Sequence, residues 1–414
     1  MKITITNAYT YENKGDAAIL LGTIDALKKI YGKNIEINIL SFTKNLDKEK
    51  YSFCKNIKNV ESNILNPRPY KHTKLGKLLA ITRLFNRLIY LLIMFKFNKT
   101  KIINKEPSFK LLTESDIILI CGGGFLGGKK KHSILHLVQI YFNTKFNKKV
   151  YMMSTSIEPF KDKILEKATI NILKKVDYIY AREEITYNLL KKYITNVKLV
   201  PDMAFMMKKK SYNSPILSKY KTKYNNMIGI TLRDWNFPDS KDIKQSMNNY
   251  LLCMKEVIEK LSNKNTCFVF IPQVIVSHAN DLSVAHKLKN MLSEKKKNNF
   301  LIIEEDLTPN LIKGLINKMD YFIGTRMHSN IFSLSNYIPT IAIAYEEKTN
   351  GIMNLLNQEK YIIDINNIKS IDVIKKYKQL IKNQTQIKKE LKINVKKIEN
   401  DIIKNMIELF KVDD

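Results

Sequence analysis

The segment GTRMHSNIFSLSNYIPTIAIAY, residues 324–345, contains the pattern that decides the fold. The residues MDYFIGT (319–325) are apolar and aromatic, which is typical of a buried strand. The apolar residues Ile331, Phe332 and Leu334 favour a short helix that Pro339 ends, and TIAIAY begins another strand. A strand–helix–strand unit directs the free N–H groups at the start of the helix toward the carboxyl edge of a parallel sheet.

Two side chains that carry or accept positive charge, Arg326 and His328, lie at the start of this helix. They predict an anionic ligand there. A lone histidine is often structural, but the place of His328 at a helix start beside Arg326 favours a catalytic role. No cluster of side chains has metal-ligand spacing, and no serine or cysteine has an evident base. We therefore expect no metal, no cofactor and no covalent enzyme intermediate.

Strand and helix patterns alternate along most of the chain, from MKITITNA (1–8) onward, and the alternation restarts at NMIGITLR (226–233). This rhythm predicts an α/β protein with two Rossmann-like lobes that face each other across a cleft, followed by a C-terminal helical tail. The predicted boundaries are an N-terminal lobe at 1–206, a polar and basic linker at 207–226, a C-terminal lobe at 227–368 and C-terminal helices at 369–414.

The composition combines an ordinary hydrophobic fraction of 44% with a formal net charge of +31, from 70 Lys and Arg against 39 Asp and Glu. Such a charge favours an anionic membrane surface, a nucleic acid or an acidic polymer as partner. No basic helix with interleaved aromatic residues is present, so we do not expect nucleic acid. Four scattered cysteines without a CxxC pair, and an N-terminus without an apolar signal region, predict a reducing, cytoplasmic environment.

Two further motifs follow predicted strands. In NKGDAAI (13–19), Asn13, Gly15 and Asp16 form a loop that either contacts a sugar or phosphate or simply turns the chain and caps the next helix. In CGGGFLGG (121–128), Gly123 and Gly124 lie in a glycine-rich turn that lets a ligand approach the backbone. The turn lacks the GK[ST] ending of a P-loop.

Four cations fall at strand ends on the side where a cleft is expected: Arg182, Arg233, Arg326 and Lys348. A guanidinium binds phosphate or carboxylate through two parallel hydrogen bonds. The alternative for Arg182 and Arg233 is an ion pair with a neighbouring acid. Together the four predict a pocket for a doubly anionic ligand.

The segment at residues 73–101 is strongly apolar and flanked by Lys and Arg, while Arg83 and Arg87 interrupt it. Its longest continuous apolar run is too short to span a bilayer. It is either a core helix or a helix that docks on an anionic membrane surface.

Four motifs occur in an order that resembles the polysaccharide pyruvyl transferase family, and the resemblance covers most of residues 1–355. They are NKGDAAI, ILICGGGFLGG, YAREEITYNLL with VKLVPDMAF, and TRMHSNIFSLSNYIPTIAIAYEEKTNG. The resemblance implies a two-lobed architecture of the GT-B type. It implies transfer of the enolpyruvyl unit of phosphoenolpyruvate onto two sugar hydroxyls as a cyclic ketal, with Arg182, His328 and Lys348 at the donor site.

The residue types suit that chemistry. His328 would deliver a proton to the methylene carbon, and Arg182, Arg326 and Lys348 would bind phosphoenolpyruvate, a co-substrate rather than a cofactor. The Asn13–Asp16 loop, Gly123, Gly124 and Arg233 would shape the acceptor side, for a polysaccharide sugar or its lipid-linked precursor at the inner face of the membrane. Two alternatives stay open: a GT-B-type nucleotide-sugar glycosyltransferase, and a non-enzymatic basic glycan-binding protein.

Overall fold

The computed structural model describes residues 1–8, 11–32, 34–65, 74–128, 133–276 and 279–411, with the backbone alone at 74, 77, 276, 279 and 411. The chain forms two compact units. Unit 1 comprises Met1–Tyr11, Ile19–Met203 and Ile402–Asp414, and unit 2 comprises Glu12–Ala18 and Ala204–Asp401.

Unit 1 is built on a parallel sheet whose described strands are ordered β3-β2-β1-β4-β6-β7-β8, with β5 paired to β6. Its strands are β1 Lys2–Ala8, β2 Glu36–Ser41, β3 Ile57–Ser62, β4 Ile117–Ile120, β5 Gly123–Gly128, β6 Lys149–Phe160, β7 Tyr178–Ala181 and β8 Val197–Leu199. The helices that accompany them in the chain are α1 Lys14–Tyr31, α2 Lys44–Lys50, α3 Lys74–Phe97, α4 Lys99–Lys105, α5 Pro107–Glu114, α6 Ser133–Asn143, α7 Lys163–Leu173 and α8 Glu184–Lys191. Strand β4, with the sequence IILI, is buried at every position, as expected of a parallel strand covered on both faces.

Unit 2 is built on a second parallel sheet, ordered β13-β10-β9-β14-β15-β16 over the described residues. Its strands are β9 Asn226–Thr231, β10 Thr266–Phe270, the short antiparallel pair β11 Ile275–Val276 and β12 Ala279–Asn280, β13 Phe300–Ile302, β14 Tyr321–Gly324, β15 Thr340–Ala344 and β16 Ile362–Asp364. The helices are α9 Pro215–Lys223, α10 Ile243–Leu261, α11 Asp281–Met291, α12 Glu294–Lys297, α13 Pro309–Ile316, α14 Met327–Leu334, α15 Glu347–Leu355, α16 Ser370–Lys382 and α17 Gln384–Lys411.

The strand order of unit 2 is that of the Rossmann fold. Numbered within the sheet from β9, it reads 3-2-1-4-5-6, so the direction of winding reverses between β9 and β14. Ligands of open parallel sheets bind beyond the carboxyl ends of the strands at such a switch point. The loops that leave β9 and β14 carry Arg233 and Arg326, and His328 follows in the first turn of α14. The fold therefore brings these predicted residues to the position where it favours a ligand.

The observed units can be compared with the predicted boundaries. The predicted first lobe, 1–206, corresponds to a unit that ends at Met203 and also takes in the end of α17 from Ile402. The predicted linker, 207–226, contains helix α9 and the first residue of β9. It differs from a linker because Pro215 starts the helix and Leu217 is buried. The segment Glu12–Ala18 groups with unit 2 although it follows β1.

Helix α3 covers residues 74–97 of the apolar segment predicted at 73–101, whose last three residues instead begin α4 and whose residue 73 lies outside the described residues. Leu91 is fully buried in the core of unit 1, and Phe95 packs edge-on against Phe109, Phe142 and Phe146. Within the described chain, Leu78–Phe97 is long and apolar enough to cross a membrane by length and composition only, and 6% of it is buried. The helix is thus attached to the core by one side.

The four cysteines are free thiols, and each is buried. Burial raises the pKa of the Cys253 and Cys267 thiols to about 12. Thiols with so high a pKa are poor nucleophiles, which agrees with a role in packing.

Candidate functional site in unit 2

The turn from β14 into α14 is held in place by hydroxyl groups. Thr231 Oγ1, at the end of β9, accepts hydrogen bonds from the N–H of Thr325 at 3.2 Å and of Arg326 at 3.4 Å. It also lies 2.8 Å from Ser329 Oγ, while Tyr250 OH lies 2.6 Å from Thr325 Oγ1. These contacts fix the start of α14 against the neighbouring strand. The two residues of the predicted R-x-H pair therefore have a rigid backbone.

His328 is the second residue of α14 and is partly exposed. Gly15, which lies in the first turn of α1 rather than in the predicted loop, packs directly against its ring. A Cβ atom built on Gly15 would lie 2.1 Å from His328 Nδ1, far inside van der Waals contact. Only glycine at position 15 permits this position of the imidazole. The structure thus brings together two predicted site residues that are more than three hundred positions apart in sequence.

Arg326, the residue before α14, forms an ion pair with Asp281 in which Nη2 lies 2.5 Å from Oδ1. The Asp281 side chain is 1% exposed, and its other oxygen accepts hydrogen bonds from the N–H groups of Gln273 and Val274 at 2.9 and 3.1 Å. Arg326 Nε is buried and has no hydrogen-bond partner among the described residues. Among the described residues, Arg326 thus has Asp281 as a charged partner and an Nε donor that has no hydrogen-bond partner.

The segment Asn13–Asp16, predicted as a loop, is Asn13 followed by the first three residues of α1, and it is bound to the same part of unit 2. Asn13 pairs with Val274 as an antiparallel bridge, and the Lys14 N–H donates to the Gln273 carbonyl at 3.2 Å. Lys14 Nζ lies 2.5 Å from Asp306 Oδ1. Within this segment, Asn13 Oδ1 accepts a hydrogen bond from the Gly15 N–H at 3.1 Å. Asn13 Nδ2 donates a hydrogen bond to Asp16 Oδ2 at 2.6 Å. Asn13, rather than Asp16, therefore caps the start of α1.

Arg233 lies over two aromatic rings, with its guanidinium carbon 4.7 Å from the ring centre of Trp235 and 4.5 Å from that of Tyr345. No carboxylate of the described residues lies within ion-pair distance of it. The alternative of pairing with its neighbour Asp234 is therefore not what the structure shows. Burial raises the pKa of Tyr345, and the charges of Arg233 and Arg326 oppose this rise.

Lys348 lies in the first turn of α15, after β15, with Nζ 3.7 Å from Glu346 Oε2. Its side chain is 19% exposed and that of Glu346 is 39% exposed, so the pair is accessible to solvent. A long, partly exposed ion pair of this kind contributes little to stability. The Lys348–Glu346 pair is therefore weak enough for a ligand anion to compete with it.

Arg182 belongs to unit 1, whereas the residues described above belong to unit 2. Its Nη1 lies 2.7 Å from Asp202 Oδ2, and its Nε donates to Ser156 Oγ at 2.5 Å. Glu183 Oε2 lies 3.5 Å from Nε. The Arg182 and Asp202 side chains are 7% and 2% exposed. The ion-pair alternative for Arg182 is thus observed, and its role in donor binding stays a prediction.

The glycine-rich segment of unit 1 is a strand rather than the predicted turn, because Gly123–Gly128 forms β5 beside β6. A Cβ on Gly127, whose φ is +82°, would lie 1.9 Å from the Glu158 carbonyl oxygen. Thr155 Oγ1 donates to the Gly123 carbonyl at 2.9 Å. The close approach of two backbones explains this glycine. Contact of Gly123 and Gly124 with a ligand stays a prediction.

Sequence reasoning missed Asp281, Lys14, Trp235 and Tyr345. One signal was available for Trp235, because the single tryptophan of the chain comes two residues after Arg233. Asp281 and Lys14 gave no comparable signal, since their partners are distant in sequence. Among the described residues, no group of three or more His, Cys, Asp or Glu side chains is arranged to hold a metal ion.

The motifs of the two units, from the Asn13 loop to the helix after β15, coincide with the span of one known protein family. The model of the polysaccharide pyruvyl transferase family matches residues 13–347. The chain belongs to this family. Membership points to a transferase that acts on polysaccharide. Lys348 lies one residue beyond the matched span.

Similar proteins agree with this assignment. The amylovoran biosynthesis protein AmsJ of Erwinia amylovora is 24% identical over 435 residues, covering 98% of this chain and 100% of the relative. The UDP-GlcNAc 2-epimerase of Neisseria meningitidis is 16% identical with a TM-score of 0.58, covering 99% of this chain and 100% of that one. Glycyrrhiza uralensis UGT73P12 is 9% identical with a TM-score of 0.58, covering 100% and 96%. The two structural similarities confirm the predicted GT-B-like fold.

Proposed function

We propose that the chain transfers pyruvate from phosphoenolpyruvate onto a sugar of a polysaccharide, or of its lipid-linked precursor, as a ketal with release of phosphate. One observation carries the proposal: Arg233 and Arg326 lie on the loops that leave β9 and β14, and His328 lies in the first turn of α14, at the switch point of unit 2. These side chains suit a ligand that has two anionic groups and a carbon atom that must be protonated.

The cationic side chains of unit 2 have different roles in this proposal. Arg233 has no acidic partner among the described residues, and its stacking on Trp235 and Tyr345 holds the guanidinium plane in place. It is therefore the best-prepared group to bind the phosphate or the carboxylate of the donor through two hydrogen bonds. This is a change from the acceptor side, where the sequence suggested it. Arg326 contributes its Nε as a hydrogen-bond donor. Lys348, which is paired with Glu346, contributes a positive charge to the ligand.

His328 supplies the acid–base chemistry. It gives a proton to the methylene carbon of the donor, which becomes a methyl group and leaves an oxocarbenium-like centre at the adjacent carbon. One sugar hydroxyl forms a C–O bond to this centre and returns its proton to the imidazole. A second hydroxyl then displaces the phosphate, which takes the second proton as it leaves. Two C–O bonds form, the bond to phosphate breaks, and no oxidant or reductant is needed.

The test offers purified protein either phosphoenolpyruvate or a set of UDP-sugars, each with a panel of polysaccharides and oligosaccharides. We expect phosphate release that requires both phosphoenolpyruvate and one acceptor, together with a ketal on that acceptor. UDP release from a nucleotide sugar would instead support a glycosyltransferase. Glycan binding without turnover of any donor would support a binding protein.

A further inference from the structure

The outward side of helix α3 is an unusually large exposed apolar surface. Its side chains at Leu75, Leu78, Phe85, Ile89, Leu92 and Ile93 are all exposed, from 38% to 67%. These six residues, called here the outward stripe, follow helical spacing and lie on one face. Contiguous apolar surface of this kind on a soluble unit indicates an interaction site.

The opposite face of α3 already has a partner. Leu91 is fully buried, and Leu88, Met94 and Phe95 pack against the core of unit 1. Arg87 adds a two-pronged ion pair with Glu106, at 3.0 and 2.5 Å. Because one face of α3 packs against unit 1, the helix cannot cross a bilayer without leaving the core of that unit. A partner of the outward stripe must therefore approach from the side, as a flat surface does.

Charge identifies the partner. From Ser62 to Lys105 the chain contains no Asp or Glu, whereas it contains the cations Arg68, Lys71, Lys74, Lys77, Arg83, Arg87, Lys96, Lys99, Lys101 and Lys105. Arg83 and Lys96 lie on α3 and are exposed, and Lys101 and Lys105 are exposed on α4. An apolar stripe bordered by cations, without acids, matches the apolar interior and anionic headgroups of a lipid bilayer.

We propose that the outward stripe of α3 docks unit 1 on an anionic membrane surface. The helix lies in the plane of the interface, with the stripe among the acyl chains and the cations at the headgroups. The attraction then has two parts. One comes from the cations and is screened by salt, and the other comes from apolar insertion and is not. The proposal does not depend on the reaction that the chain performs.

The test measures binding of the full chain to vesicles of phosphatidylcholine with phosphatidylglycerol, by flotation, at low and high salt. We expect binding that weakens at high salt without disappearing, and much weaker binding to phosphatidylcholine alone. The variant L78S/F85S/I89S/I93S should lose the salt-resistant part. The control I164S/I216S/I371S/I393S changes four isoleucines elsewhere that are 56% to 82% exposed, against 40% to 61% for the stripe variant, and should bind like the wild type.

A second variant separates the electrostatic part. R83Q/K96Q/K101Q/K105Q should lower vesicle binding at low salt by at most about fivefold for each residue replaced. The control K161Q/K163Q/K167Q/K192Q replaces four exposed lysines outside α3 and α4 and should lower binding much less. Circular dichroism checks that each variant is folded. Absence of binding to anionic vesicles at low salt overturns the proposal. So does equal loss in stripe and control variants, or a dimer in solution that the stripe variant converts to a monomer.

Discussion

Gly15 is the residue whose replacement tests the position of His328 most simply. Because a Cβ at position 15 would overlap the imidazole, Gly15→Ala must displace the ring from its place at the start of α14. Misplacing a reacting group by about 1 Å can cost roughly 100-fold in rate. We expect turnover to fall by about 10- to 100-fold with a nearly unchanged melting temperature.

Gly351→Ala is the matched control, because nothing lies within 4 Å of a Cβ at that position and it also lies in a helix. It should leave turnover unchanged. If Gly15→Ala retains wild-type turnover, the observed contact is not that of the working enzyme.

Arg182 gives a second prediction at the scale of the residue. Arg182→Ala leaves Asp202 buried without its charged partner, and breaking a buried pair typically costs about 3–5 kcal/mol. Lys198→Ala removes an ion pair with Glu408 whose two side chains are 43% and 50% exposed, so it should cost less than about 1 kcal/mol. Urea unfolding compares the two variants. Equal stability losses would show that the Arg182 pair is not buried in solution.

At the scale of the element, the loop after β10 depends on one carboxylate. Asp281 accepts two backbone N–H groups of this loop and pairs with Arg326. Asp281→Ala should therefore lower the free energy of unfolding by about 3–5 kcal/mol. In this variant, the amide hydrogens of Gln273 and Val274 should exchange faster with solvent. Exchange in the middle of β9 should change only as much as the lower global stability requires.

Asp234→Ala is the control for this prediction, because Asp234 is exposed on the loop after β9. It should change neither stability nor exchange at Gln273. Unchanged exchange at Gln273 and Val274 in Asp281→Ala would mean that another group holds the loop.

The elements also show what sequence reasoning can and cannot reach. Alternating apolar strands and helical patterns predict parallel sheets because the pattern is local, and the R-x-H pair was placed correctly at the end of β14 for the same reason. The Gly15–His328 contact and the Asp281–Arg326 pair join distant segments, so no local pattern reveals them. The glycine-rich segment was misinterpreted as a turn because glycines also serve close backbone approach between strands.

At the scale of the whole molecule, the chain combines a GT-B-like fold with predicted site cations that are not all paired with an acidic side chain. In unit 2, the ion pairs of Arg326 and Lys348 leave Arg233 as the cation of the predicted set without an acidic partner among the described residues. The fold alone is shared with a UDP-GlcNAc 2-epimerase. The side chains at the switch point, rather than the fold, therefore carry the proposal of a phosphoenolpyruvate donor.

The most direct measurement is the transfer reaction carried out in D₂O with phosphoenolpyruvate and a competent acceptor. If His328 protonates the methylene carbon with a proton exchanged from solvent, NMR should show one deuterium in the methyl group of the ketal, formed in step with released phosphate. His328→Ala should be folded and slower by about 10²–10⁴-fold. Wild-type turnover in His328→Ala, or a ketal methyl without deuterium, would contradict the account.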